Sequence, residues 1–219
     1  MTSTQLVIWD NDGVLVDSES LAVRADIELL TGEGLEVTEQ EVIDGFLGRS
    51  VYDLIAFAEQ RLGHRLTPGF RDRFNERLFE MFETELKAVE GVVDVIDALL
   101  VPYCVASSGE HIRIENSLRT AGLFDRFEGR IYSAQDVGRG KPHPDLFLYA
   151  AGQMEAEPER CIVIEDSEPG VEAALAAKMT VFAYDALTPR ARLKKAHAIF
   201  EKMSELPALL GPEVCRPLS

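Results

Sequence analysis

Two carboxylates near the N-terminus stand one residue apart at the end of an apolar run. Asp10 and Asp12 follow the apolar residues 6–9, and Gly13 comes directly after them. Residues i and i+2 of a strand share a face, so both acids should enter one crevice beyond the strand's carboxyl end, where open α/β sheets bind ligands. Two like charges this close repel each other, which implies either a divalent metal or a shared proton. We favour the metal.

Two serines follow a second apolar run. The sequence VASSG at residues 105–109 places Ser107 and Ser108 just before a predicted helix that begins near Glu110. A hydroxyl beside the free backbone N–H groups of a helix start forms a ready anion site. A serine N-cap is an equally good interpretation and a common one. Taken alone, this motif leaves both a phosphate site and a helix cap open.

A lysine and a second pair of acids complete the candidate residues. Lys141 opens the sequence KPHPD, in which two prolines fix the local backbone. Glu165 and Asp166 end the apolar part of CIVIEDS, residues 161–167. A lone lysine is mostly a solvated surface residue, and adjacent acids can simply cap the next helix through its dipole. Together with the first two acids, however, these residues make four carboxylates and one ammonium group. A divalent cation would offset part of the remaining negative charge.

Alternating helical and strand-like patterns predict the fold. From residue 86 onward, short apolar runs alternate with helical patterns, which is typical of a doubly wound parallel α/β sheet, a Rossmann-like core. Residues 17–85 carry helical patterns and no strand-like run. We therefore predict a core of residues 1–16 and 86–219 and an inserted all-helical cap of residues 17–85 over the first strand's carboxyl end. The predicted strands are 6–9, 103–106, 131–133, 161–164 and 181–183, and the predicted helices of the insertion are 21–30, 39–46, 51–62 and 67–82.

Composition excludes several classes of partner. The 219 residues carry a net charge of −16, which should repel nucleic acid and anionic lipid. No run of eighteen apolar residues and no basic, apolar leader occurs, so we expect neither a membrane-spanning helix nor a secretion signal. The three cysteines lack metal-like spacing and are expected to be buried free thiols. We expect a cytoplasmic protein.

The four motifs, in this order, resemble those of the haloacid dehalogenase-like hydrolase superfamily. Its first signature reads hDxDGhhhDSE, with h apolar, and IWDNDGVLVDSE at residues 8–19 is similar to it. Taken along its length, the chain looks most like the small sugar-phosphate phosphatases of the β-phosphoglucomutase-like branch, including the 6-phosphogluconate phosphatase type. Asn11 departs from the family, which mostly has an apolar residue there. We expect little effect, because the backbone at this position matters more than the side chain.

The resemblance implies a role for each acid. Asp10 would be the nucleophile and a metal ligand, and Asp12 would be the general acid and base. Asp12 would also ligate the metal through its backbone carbonyl. Asp166 would bind the metal, and Glu165 would ligate it directly or through water. A set of ligands made of oxygen alone favours Mg²⁺ over zinc.

The resemblance also implies which residues bind phosphate and substrate. Ser107 matches the family's phosphate-binding hydroxyl, with Ser108 after it. Lys141 matches the lysine that neutralises the nucleophile and the phosphate. Arg49 lies in a segment of the cap that often faces the active site in relatives, and it is our candidate substrate contact.

The function that the resemblance implies is Mg²⁺-dependent hydrolysis of a small phosphate monoester, a sugar phosphate, through an aspartyl-phosphate. Asp12 argues against a haloacid dehalogenase, since a carbon–halogen bond needs no protonated leaving group. No lysine precedes Lys87. This counts against a phosphonatase and against a β-phosphoglucomutase-type phosphotransferase, because both use a lysine of the cap. The argument against the mutase is weaker, since arginine could replace the lysine there. The mutase stays an alternative, as does a non-catalytic regulator that binds a phosphorylated metabolite.

Overall fold

One parallel sheet forms the centre of the molecule. A computed structural model describes residues 3–46 and 51–218, with no side-chain description for residues 46 and 51–53. The strands are β1 Leu6–Trp9, β2 Tyr103–Ser107, β3 Ile131–Ser133, β4 Cys161–Glu165, β5 Thr180–Tyr184 and β6 Ala198–Phe200. They pair in the order β3-β2-β1-β4-β5-β6, each pair parallel. The predicted parallel Rossmann-like sheet is confirmed. β6 was not predicted, because three residues between polar neighbours are too short for a periodic signal.

β1 lies in the middle of this sheet and is covered on both faces. Ile8 pairs with Cys104 of β2 and with Val163 of β4. Val7 and Trp9 belong to the apolar cluster on one face, whereas Leu6 and Ile8 belong to the cluster on the other. A strand buried on both faces reads as a continuous apolar run rather than an alternating one. The sequence LVIW therefore specifies the central position of β1.

Helices cover the sheet and fill the long connection after β1. They are α1 Ser18–Gly32, α2 Glu39–Phe46, α3 Val51–Leu62, α4 Phe70–Glu85, α5 Val92–Ala98, α6 His111–Thr120, α7 Phe124–Phe127, α8 Asp145–Gln153, α9 Glu168–Ala176, α10 Arg190–Leu193 and α11 Leu206–Leu210. α2 and α3 have the predicted bounds. α1 begins at Ser18, three residues before the predicted start, and α4 begins at Phe70, three residues after it. The described part of residues 17–85 contains no strand, as predicted.

Helices α1–α4, which we call the helical segment, have an apolar cluster of their own. It consists of the buried residues Leu30, Leu35, Leu54, Ala58, Leu66 and Phe70. Leu21, Ala25 and Met81 instead belong to the apolar cluster that contains Val7 and Trp9 of β1. Val16, just before the helical segment, and Ala88, just after it, form an isolated antiparallel β-bridge. This pairing lies beside the predicted domain boundaries, and the division into core and cap domain stays a prediction.

The three cysteines are buried free thiols, as predicted. Burial raises the pKa of the Cys161 thiol to about 11, which leaves it uncharged and a poor nucleophile near neutral pH. None of the helices in the described ranges is both long and apolar enough to cross a membrane.

Candidate active site

The carboxyl ends of three neighbouring strands bring the predicted residues together. Asp10 follows β1, Ser107 ends β2 and Glu165 ends β4. A cavity of about 290 Å³ opens at this edge of the sheet. It is lined by Asp10, Asp12, Glu19, Ser107, Ser108, Lys141, Asp166, Ser167, Pro169 and Thr188. Six of the predicted residues thus line one cavity, and Glu165 lies fully buried beside it. Arg49 lies outside the described residues.

Lys141 joins the acids of two strands. Its Nζ donates to Asp10 Oδ1 and to Glu165 Oε1, each at 2.6 Å. The side chain of Lys141 is only 5% exposed, and that of Glu165 is 0% exposed. The lysine reaches the site from the loop between β3 and α8, where the prolines of KPHPD restrict the backbone. It is therefore a buried, positioned cation and not a solvated surface lysine.

Glu165 uses both of its oxygens for contacts within the protein. Oε1 accepts from Lys141, and Oε2 accepts from the backbone N–H of Asp166 and from the backbone N–H and hydroxyl of Ser167, at 2.7–2.9 Å. The Ser167 hydroxyl also caps α9 by accepting from the N–H of Gly170. Glu165 therefore anchors the lysine and the start of α9. This saturation favours contact with a metal through water over direct ligation.

The acids form a compact group that suits a divalent cation. Asp10, Glu165 and Asp166 each offer a carboxylate oxygen, and these oxygens lie within 4.8 Å of one another. One lysine offsets three carboxylates, so negative charge is in surplus. Hard oxygen donors in such a group fit Mg²⁺. The carboxylate of Asp12 is not part of this group, and ligation through its backbone carbonyl stays a prediction.

Burial and neighbouring charges shift the pKa values of the acids and of the lysine in this group. Burial raises the pKa of Asp10 to about 7, even though Lys141 opposes the shift. Burial also raises the pKa of Asp166 well above its usual value, and the charges of Glu165 and Asp10 add to the effect. Burial disfavours the ammonium of Lys141, but Asp10 and Glu165 outweigh it and raise the pKa of Lys141 above its usual value. A bound cation would favour the ionised carboxylates.

The turn after β1 places the backbone against Asp166. Gly13 has a φ of +76°, which side-chain-bearing residues rarely adopt. A Cβ at this position would lie 2.1 Å from Asp166 Oδ2. The glycine of the first motif thus serves both the tight turn and the close approach of a metal-ligand candidate.

The two serines do not cap the helix that follows them. The N-cap residue of α6 is Glu110, and it makes no side-chain capping bond. Ser107 is buried, and its Oγ accepts from the N–H of Gly109 at 3.2 Å. Ser133, the last residue of β3, holds the same loop by donating a hydrogen bond from its hydroxyl to the carbonyl of Gly109. The loop geometry therefore argues against the helix-cap interpretation, and the anion-binding role of the two serines stays a prediction.

Sequence reasoning missed four residues at or near the cavity. Glu19 lines it from α1, and burial, with the charge of Asp12 adding, raises the pKa of Glu19 to about 7. The family signature contains this position, so a signal existed. Thr188 lines the cavity from the loop after β5, which no motif indicated. Arg113 lies near Asp12.

The fourth residue, Asn11, has a side-chain contact that the sequence did not indicate. Its side chain is fully buried, and its Nδ2 donates to Ser117 Oγ on α6 at 3.0 Å. The side chain was expected to matter little. It instead links the loop that carries the two acids to a helix of the core.

Comparison with known proteins agrees with this geometry. Residues 7–184 match the haloacid dehalogenase-like hydrolase family. The 6-phosphogluconate phosphatase of Escherichia coli (strain K12) is 29% identical over 212 residues, which cover 95% of this chain and 96% of that protein. A haloacid dehalogenase-like protein of unknown function from Agrobacterium tumefaciens str. C58 has a crystal structure with a TM-score of 0.89, 32% identity and coverage of 95% and 98%. A hydrolase of the family from Deinococcus radiodurans R1, solved with bound phosphate and sodium, has a TM-score of 0.86, 34% identity and coverage of 96% of both chains.

The close approach at Gly13 gives a test of the site's geometry. We expect Gly13→Ala to lower the affinity for Mg²⁺, measured by calorimetry, because the new methyl group displaces Asp166. Gly34→Ala is the matched control, since Gly34 has a φ of +87° with nothing within 4 Å of its Cβ position. The control should lose about 1–2 kcal/mol of stability in urea from the left-handed backbone. It should bind Mg²⁺ normally. Equal effects of the two substitutions on Mg²⁺ affinity would contradict this geometry.

The buried lysine gives a second test. Lys141→Met leaves two buried acids without their cation, so we expect the metal-free protein to lose about 3–5 kcal/mol of unfolding free energy at pH 8. The loss should shrink as the pH falls toward 5, because an acid with a raised pKa takes up a proton and becomes neutral. Chemical denaturation in EDTA at both pH values measures it.

The control for the lysine is Lys195→Met. Lys195 lies at the same 2.6 Å from Glu172, but the two side chains are 52% and 38% exposed. An exposed pair contributes roughly 0–1 kcal/mol. If both substitutions cost the same at pH 8, burial is not what makes the Lys141 contacts important.

Proposed function

The chain belongs to the haloacid dehalogenase-like hydrolase family, and on that basis we propose that it is a Mg²⁺-dependent phosphatase. Its substrate is a small phosphate monoester, a sugar phosphate, which it hydrolyses through an aspartyl-phosphate on Asp10. The observation that carries the proposal is the buried contact of Lys141 with Asp10, in a cavity that also contains Ser107 and the group of acids. The similarity to a 6-phosphogluconate phosphatase supports a phosphorylated sugar acid or sugar as the substrate.

Asp10 is the nucleophile of the first step. One of its oxygens attacks phosphorus, and the bond between phosphorus and the ester oxygen breaks. The ammonium of Lys141 and the hydroxyl of Ser107, which line the same cavity, would stabilise negative charge on the transferring oxygens. When bound, Mg²⁺ neutralises further charge on this group. Asp10, Asp166 and the backbone carbonyl of Asp12 would hold it.

Asp12 moves the protons of both steps. Its carboxyl group lines the cavity but lies outside the group of metal-ligand candidates. In the first step it gives a proton to the departing alcohol. In the second step it takes a proton from the water that attacks the phosphorus of the aspartyl-phosphate, which releases phosphate and restores Asp10.

The helical segment acts as the cap of this site. It follows β1 in the chain and returns to the core where Ala88 bridges Val16, which supports a role in controlling access to the cavity. Glu19, on its first helix, already lines the cavity. Exclusion of bulk water while the substrate is bound is the usual role of such a cover. Arg49, outside the described residues, is the proposed contact to the part of the substrate away from the reacting phosphate.

Charge in the cap favours water over a sugar as the phosphoryl acceptor. A mutase must hold a bisphosphate, which needs cations for the second phosphate. Residues 17–85 contain sixteen acids and seven arginines, a net charge of −9. Four of these arginines are paired with carboxylates at 2.6–2.9 Å, namely Arg24 with Glu85, Arg61 with Glu41, Arg73 with Glu33 and Arg77 with Glu28. The paired carboxylates lower the positive potential that these four arginines offer to a second phosphate.

Substitution of the nucleophile tests the proposed chemistry. Asp10→Asn should abolish phosphate release from p-nitrophenyl phosphate, because an amide is neither a nucleophile nor an anionic metal ligand. EDTA should abolish the activity of the unaltered protein, and Mg²⁺ should restore it. Circular dichroism of the variant serves as the control for folding. Near-normal turnover by a folded Asp10→Asn protein would disprove the mechanism.

The choice of acceptor can be measured directly. With β-glucose 1-phosphate and a trace of the bisphosphate, we expect free phosphate to appear at least as fast as glucose 6-phosphate. The reason is that the cap offers few cations to retain a bisphosphate. Phosphate and glucose 6-phosphate are assayed in parallel. Rapid, stoichiometric isomerisation with negligible release of phosphate would instead identify a mutase.

A further inference from the structure

We propose that Arg113 is a positioning residue, which holds the carboxylate of Asp12 in the orientation that proton transfer to the leaving group requires. This inference rests on the proposed function. Arg113 Nη2 lies 3.5 Å from Asp12 Oδ1. None of the sequence motifs contains this arginine, and it does not line the cavity.

Asp12 differs from the other acids of the site in what it contacts. Asp10 pairs with Lys141, and Asp166 belongs to the group of oxygens that suits a metal. The carboxylate of Asp12 lies outside that group and turns toward Arg113. A carboxylate that must carry a proton has to stay off the metal. Arg113 is placed to keep the carboxylate of Asp12 away from the metal-ligand candidates.

The guanidinium itself is held by the helical segment. Its Cζ lies 5.6 Å from the centre of the Phe82 ring on α4. The side chain of Arg113 is 52% exposed, and an ion pair this exposed is weak without further support. The aromatic face of Phe82 supplies that support through a cation–π contact. The placement of Arg113 thus depends on α4 as well as on α6.

A buried hydrogen bond fixes α6 relative to the loop that carries Asp12. Asn11 Nδ2 donates to Ser117 Oγ at 3.0 Å, and the Ser117 hydroxyl donates to the carbonyl of Ile114 at 2.8 Å. Ser117 is one helical turn after Arg113, so the two residues share a face of α6. Asn11 is the residue next to Asp12. The loop and the helix therefore meet at two points, one buried and one at the rim of the site.

The chemical consequence depends on the leaving group. A sugar alkoxide needs a proton as it departs, whereas p-nitrophenolate leaves without one. kcat/KM reports the steps up to transfer of phosphate to Asp10, so it contains the contribution of acid catalysis. Loss of Arg113 should therefore lower kcat/KM for the sugar phosphate much more than for p-nitrophenyl phosphate.

The experiment measures kcat/KM with 6-phosphogluconate and p-nitrophenyl phosphate in matched variants. Arg113→Met should lower the value for the sugar phosphate by roughly 10- to 100-fold, part of what proton transfer contributes, and for p-nitrophenyl phosphate by less than about threefold. Arg113→Lys should recover part of the loss. The control is Arg119→Met, since Arg119 lies on the same helix, pairs with Glu115 and stacks over Phe124 away from the site. It should leave both substrates unaffected.

A double-substitution cycle makes the test decisive. If Arg113 acts through Asp12, adding Arg113→Met to Asp12→Asn should change kcat/KM for 6-phosphogluconate by less than about twofold. An undiminished loss in that background, an equal loss for both substrates, or no loss in the single variant would each overturn the inference. Failure of the proposed function itself looks different. In that case the unaltered protein hydrolyses neither substrate with Mg²⁺, or Asp12→Asn retains full activity on 6-phosphogluconate.

Discussion

Buried carboxylates crowd together at the carboxyl ends of β1 and β4, and the neighbouring loops and helices are arranged around them. Three carboxylates offer oxygens within 4.8 Å of one another, and a single ammonium group contacts two of them. Uncompensated charge of this kind is unfavourable in a protein interior. Lys141, buried between the strands, compensates part of this charge, and burial raises the pKa values of Asp10 and Asp166, which favours their neutral forms.

The packing around these charges leaves little freedom. Glu165 is saturated by Lys141 and by the start of α9, and a Cβ on Gly170 of that helix would lie 1.7 Å from Glu165 Oε1. A Cβ on Gly13 would likewise lie 2.1 Å from Asp166 Oδ2. Because Gly13 and Gly170 have no side chain, the backbone at each position can approach a carboxylate that a Cβ atom would displace. The positions of the acids are determined by the sheet and by these contacts together.

Local sequence was sufficient to predict most of the site and the sheet. Asp10, Ser107 and Glu165 each follow or end an apolar run, so the parallel sheet brings them to one edge. The short β6 was missed because Ala198–Phe200 has no periodic pattern. Thr188 and Arg113 were missed for another reason, since each reaches the site only through the packing of a distant loop or helix. The importance of the Asn11 side chain likewise depends on Ser117, which is 106 residues away in the chain.

In the proposed mechanism, Asp10 carries the phosphoryl group between substrate and water. Rapid acid quench of the working enzyme, followed by peptide mass spectrometry, tests it most directly. The account predicts a phosphoryl adduct on the peptide that contains Asp10, labile to hydroxylamine as an acyl phosphate is. It also predicts that this adduct is absent from Asp10→Asn. An adduct on Ser107 or Ser108, or turnover with no adduct on any peptide under conditions that trap acyl phosphates, would contradict the account.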